Sequence, residues 1–120
     1  MKLMSVYDSV IIKKIIGGAA DVLGYELLES SDGGEAIILL KENFKNVRLI
    51  LLGWNISGMS SIEFLKIVKA NEHFKHIPVI MVTTEDDKAI VSEAIDAGAS
   101  YFLKKPLTVE KLINRILERV

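Results

Sequence analysis

Apolar runs the length of a β-strand recur five times in this chain, each followed by a stretch with helical periodicity. The strand-length runs are Leu3 to Val6, Tyr25 to Glu29, Val47 to Leu52, Pro78 to Val82 and Tyr101 to Lys104. Helical spacing covers Val10 to Leu23, Gly34 to Asn43, Ser60 to Asn71, Asp86 to Ala97 and Thr108 to Val120. Such alternation leaves few architectures open, because consecutive strands joined through helices pair in parallel. The third run, VRLILL, is nearly continuous in apolar residues rather than alternating. That is the pattern of a strand covered on both faces.

Five strand–helix units over 120 residues leave an average of 24 residues per unit, which allows only short connections. The expected fold is α/β, a doubly wound five-stranded parallel sheet with five helices, flavodoxin-like in strand order 2-1-3-4-5. One domain spanning 1–120 is expected from the length and the lack of a linker. The punctuation agrees. Gly24 and Gly98 stand where helices should end. Thr108 can cap the last helix, although Lys111 rather than Glu stands three residues on, so there is no capping box. The third helix should bury Ile62, Leu65, Ile67 and Val68, and the last carries Val109, Leu112, Ile113, Ile116 and Val120 at helical spacing. Gly17-Gly18 inside the first helix costs helix propensity and is expected to mark close packing against the sheet, with a flexible or kinked helix as the alternative.

Composition excludes several functional classes. Fifteen basic and sixteen acidic residues are mixed along the chain for a formal net charge of −1, so nothing drives it toward nucleic acid or an anionic membrane. Cysteine is absent, which removes disulfides and thiolate chemistry and fits a cytoplasmic location. The start, MKLMSVYDS, turns polar too soon for a signal peptide, and no apolar stretch approaches a membrane span. His73 and His76 lie away from the expected site with no third ligand beside them, so they are read as surface residues.

Ligands of open parallel sheets sit at the carboxyl ends of the strands. There the first strand delivers Tyr7 and Asp8, and the third delivers Gly53, Trp54 and Asn55. The fourth delivers Thr83 and Thr84, and the fifth delivers Lys105 followed by Pro106. With the stretches SVYDSVIIKKII, LILLGWNISGMSSIEFLKIVK, IPVIMVTTEDD and AIDAGASYFLKKPLT, the whole chain resembles the receiver domain of two-component response regulators, of the single-domain chemotaxis type. In that family a histidine kinase donates a phosphoryl group to an aspartate at the tip of the third strand. Two acidic residues after the first strand help hold Mg²⁺. A hydroxyl residue and a lysine bind the phosphoryl oxygens, and an aromatic near that lysine changes rotamer with the state.

The resemblance implies a role for each position. Gly53 occupies the acceptor site, Tyr7 and Asp8 the acidic pair, and Asn55 would lend a backbone carbonyl to the metal. Thr83 and Lys105 match the phosphoryl binders, Phe102 the switch aromatic, and Lys105–Pro106 is expected to be a cis peptide. Glycine cannot be a carboxylate nucleophile. Asp8 and Lys105 sum to zero formal charge, so Mg²⁺ is not expected to bind well, and the two should pair with each other. Ile56-Ser57 and Ser60-Ser61 also depart from the family's usual loop. The implied protein is a degenerate pseudo-receiver without catalysis or cofactor. It would bind protein partners, a second copy of the chain among the candidates, through its fourth helix, fifth strand and fifth helix. Tyr101, Phe102 and Lys104 lie on that face. Two readings compete with it. One is a phosphorelay regulator using a substitute acceptor, Asp8. The other is a small-ligand binder, against which stands the lack of a phosphate loop in VYDSVIIKK.

Overall fold

A computed structural model gives the architecture and describes all residues except 8, 55, 84–87, 105–107 and 120; of residues 83, 88–90, 101, 104 and 119 it describes the backbone alone. The elements alternate as β1 (Lys2–Val6), α1 (Val10–Leu23), β2 (Glu26–Ser30), α2 (Gly33–Asn43), β3 (Val47–Gly53), α3 (Ser61–Ala70), β4 (Val79–Thr83), α4 (Lys88–Asp96), β5 (Tyr101–Lys104) and α5 (Val109–Arg119). All strand pairs are parallel, in the order β2-β1-β3-β4-β5. The expected topology is therefore the observed one, with elements displaced by a residue or two at their ends.

Alternation along the strands sorts the core into two layers. Met4, Val6, Ile50 and Leu52 face α2, α3 and α4, where Leu40, Phe64, Leu65 and Val68 complete the layer. Leu3, Tyr7, Leu49 and Leu51 face α1 and α5, against Ile12, Ile16, Leu112 and Ile116. Residues 49–52 supply both layers and are fully buried, which is why VRLILL is apolar at nearly every position.

Local chemistry sets the helix ends. Ser9, Asp32, Ser60 and Thr108 accept from the backbone N–H groups of Ile12, Glu35, Glu63 and Lys111, the bonding of N-caps. Gly24 closes α1 at φ 75°, in the left-handed region. Gly98, at φ 115°, has the stem of Lys69 where a Cβ would go, while the Lys69 ammonium donates to the carbonyls of Ile77 (2.7 Å) and Lys75 (3.2 Å). The burial that this packing requires lowers the Lys69 pKa from its ordinary value.

Two sequence expectations are corrected. Ile67 is 42% exposed, because Phe64, Leu65 and Val68 already form the buried stripe of α3 and Ile67 lies off it. The glycine pair of α1 does not pack closely on the sheet. A Cβ at Gly17 would lie an ordinary 4.0 Å from Leu27, whereas one at Gly18 would meet Val109 of α5 at 3.4 Å. The tighter approach is helix on helix.

Candidate functional site

At the carboxyl edge of the sheet, β1 and β3 lie side by side, and β4 flanks β3. Tyr7 follows β1, yet its side chain does not stay above its own strand. The ring crosses the end of β3, and its hydroxyl donates to the carbonyl of Val82 on β4 at 2.8 Å. Val82 is the residue paired with Gly53 in the sheet. The phenol thus spans three strands, and only 6% of the residue is exposed. Burial pushes its pKa up to about 12, so it is neutral over the physiological range.

Gly53 lies beneath that ring. An ideal Cβ at Gly53 would come within 3.0 Å of Tyr7 Cε2, 3.1 Å of Cδ2 and 3.3 Å of Cζ. The backbone there is ordinary strand, since the positive-φ glycines among the described residues are Gly24, Gly58 and Gly98. What demands glycine at 53 is the aromatic ring over it, not its φ. Tyr7 and Gly53, the positions that the resemblance gives to the acidic pair and the acceptor, are thus in direct contact. Sequence reasoning set both residues in one pocket but missed this contact; the available signal was a large ring and a glycine at positions brought together by adjacent strands.

The loop after β3 is tied to the loop after β2. Ser57 N–H donates to Ser31 O at 3.0 Å, and Gly33 N–H donates to Ser57 O at 2.9 Å. Gly58 turns the chain at φ 83°, where a Cβ would lie 2.5 Å from an Asp32 carboxylate oxygen. Asp32 is a carboxylate at this edge that sequence reasoning passed over, and it is engaged as the cap of α2 at 3.0 Å from Glu35 N. Trp54 is half-buried against the core and lines a groove of about 510 Å³ with Ile56, Ile62, Lys66 and Glu93.

The remaining predicted site residues divide by what the structure describes. Thr83 ends β4 at this edge, its backbone alone described. Phe102 lies on β5, half-buried against the α2–α3–α4 layer, between Tyr101 and Lys104, which are placed by their backbone alone. Asp8, Asn55, Lys105 and Pro106 lie outside the described residues, and with them the Asp8–Lys105 pair and the cis peptide.

A sheet of this order with its loops gathered at the carboxyl edge can be matched to known proteins. The response regulator receiver domain model matches residues 3–117. The chain belongs to the response regulator receiver family. Among its relatives, chemotaxis protein CheY1 of Helicobacter pylori is 38% identical over 117 residues, covering 97% of this chain and 94% of the relative. Chemotaxis protein CheY of Pseudomonas aeruginosa is 36% identical over 124 residues, covering all of this chain and 98% of the relative. The solved structure of chemotaxis response regulator CheY4 of Vibrio cholerae superimposes with a TM-score of 0.90 at 28% identity, covering 99% of this chain and 98% of that one. The chain is thus a receiver of the chemotaxis type, a signalling fold. Among the described residues, no helix is long and apolar enough to cross a membrane.

Proposed function

We propose that residues 1–120 form one pseudo-receiver unit that signals by binding a protein partner and does not carry a phosphoryl group. The supporting observation is the Tyr7 ring over Gly53, with Tyr7 Cε2 3.0 Å from where a Cβ would stand. Phosphoryl transfer of the family's kind begins with a carboxylate at the tip of the third strand. Gly53 has none, and the space into which one would project is filled by a buried ring hydrogen-bonded to Val82.

The same two residues bear on the metal. Mg²⁺ takes hard oxygen ligands, usually including a carboxylate. Gly53 offers no side-chain oxygen, and the Tyr7 phenol is neutral and already bonded to a carbonyl. The described part of the pocket does not fit the ion. On this reading Thr83 and Lys105 are retained parts of the scaffold.

The surface left for signalling is the face of α4, β5 and α5. β5 is an edge strand, so its outer side is free of a further strand of the sheet. Glu93 and Lys111 are exposed on the flanking helices. Tyr101, Phe102 and Lys104 lie along β5 between them. Without a phosphoryl group to favour one of two states, binding is constitutive or set by the partner itself.

The test is intact mass and the amide NMR spectrum after incubation with a small phosphodonor and Mg²⁺. Unchanged mass and an unchanged spectrum are expected. A Mg²⁺-dependent mass gain abolished by Asp8→Ala would replace this reading with a receiver that uses a substitute acceptor.

A further inference from the structure

The opposite edge of the sheet, at the amino ends of the strands, carries a second surface that the receiver reading does not use. β3 begins there with Val47 and Arg48. In the pairing of β1 with β3, Lys2 is opposite Val47 but Leu3 is opposite Leu49, so Arg48 is skipped. Pairing with β4 starts only at Ile50. Strict alternation would give Arg48 the face of Ile50 and Leu52, inside the α2–α3–α4 core. The irregularity instead puts Val47 in that core and leaves Arg48 exposed. An added residue that re-aims a side chain is the usual effect of a bulge.

Arg48 lines a groove of about 350 Å³ together with Lys45 and His76. Its apolar lining includes Phe44, Ile77 and Pro78. The Phe44 ring packs against two others, its centroid 4.9 Å from that of His73 and 5.9 Å from that of Phe74. Among the described residues, no acidic residue lines the groove. Among the described residues, Lys45, Arg48 and His76 make no side-chain hydrogen bond or ion pair. In a chain of net charge −1, an apolar floor whose charged lining, among the described residues, is basic is a local departure from the mixed surface.

We propose that this groove is a docking site for an acidic protein segment, one apolar side chain seated on Phe44 with flanking carboxylates on Lys45 and Arg48. Charge complementarity selects the sign of the partner. The groove lies near the lower limit for a small-molecule pocket, and its Phe44 floor offers an apolar seat for a side chain. A nucleic acid would need a basic stripe that follows a phosphate backbone, and a membrane surface would need a larger cluster of Lys and Arg. The groove is at the sheet edge opposite Tyr7 and Gly53, so its occupation is compatible with any state of the receiver pocket.

The experiment uses the full chain, nitrogen-15 labelled, and a fluorescent peptide of sequence Asp-Asp-Phe-Asp-Glu. Comparison probes are the same peptide with lysine for every acid, the same peptide with glycine for phenylalanine, a single-stranded oligonucleotide and phosphatidylserine vesicles. The acidic aromatic peptide is expected to shift the amides of residues 44–48 and 76–77, with an affinity that falls as salt is raised. Lys45→Glu and Arg48→Glu, both at exposed positions, should each weaken it about tenfold with the thermal midpoint unchanged. Loss of binding with glycine for phenylalanine supports the apolar anchor. Shifts elsewhere or none, equal binding of the lysine peptide, or tighter binding of the oligonucleotide or vesicles through Lys45 and Arg48 would each overturn the proposal. These outcomes are independent of phosphodonor and Mg²⁺, so they do not bear on the pseudo-receiver reading.

Discussion

Tyr7 and Gly53 form one packed pair at the carboxyl edge of the sheet. The ring from the neighbouring strand fills the space where a Cβ at Gly53 would stand. Gly53→Ala forces a Cβ against Tyr7 and should destabilise the fold by about 1–3 kcal/mol, because the ring is pinned by Val82 and gives way poorly. Chemical denaturation of that variant, alone and with Tyr7→Gly, checks this, since the penalty should vanish in the second background. The phenol also sets a pH dependence. Its folded pKa lies near 12 against 10.0 unfolded, so the neutral form is favoured in the fold. That stability is full below about pH 10 and is lost as pH rises toward 12, by on the order of 2 kcal/mol. Ultraviolet titration should show a late-ionising phenol that disappears in Tyr7→Phe. Ser5, one alternate position back on β1, is fully buried, and among the described residues its hydroxyl is the buried side-chain group without a partner. Ser5→Ala should therefore be neutral or stabilising by about 1 kcal/mol in thermal unfolding.

At the scale of elements, the strand and helix boundaries were legible because each has a local cause. Gly24 and Gly98 end helices through positive φ, and Thr108 caps α5 as its residue type suggests. What the pattern could not show is which neighbour an element meets. Helical spacing placed Ile67 in the core, but Phe64 and its neighbours on α3 fill that stripe. It also could not distinguish Gly17 from Gly18. The structure does: Gly17→Ala, with only Leu27 at 4.0 Å, should stabilise by about 0.5–1 kcal/mol, and Gly18→Ala by less because of Val109. Gly98→Ala should cost about 1–3 kcal/mol, since it both occupies positive φ and displaces the Lys69 stem. Thermal midpoints of the three variants rank these effects, and a midpoint for Gly98→Ala at or above the parent would contradict the packing described.

At the scale of the whole molecule, fold and family could be read from the alternation of runs and from the residues at the strand tips. The contact between Tyr7 and Gly53 could not, because the two lie far apart in the chain and meet only when β1 and β3 pair. In space the two residues form one packed unit. The most direct measurement is intact mass after phosphodonor and Mg²⁺ for the natural chain, Gly53→Asp and Tyr7→Asp/Gly53→Asp, each first checked for folding by circular dichroism. No adduct is expected on the natural chain, little or none on Gly53→Asp while Tyr7 still fills the space, and a clear adduct on the double variant. An adduct on the natural chain, or equal adducts on the single and double variants, would contradict that expectation.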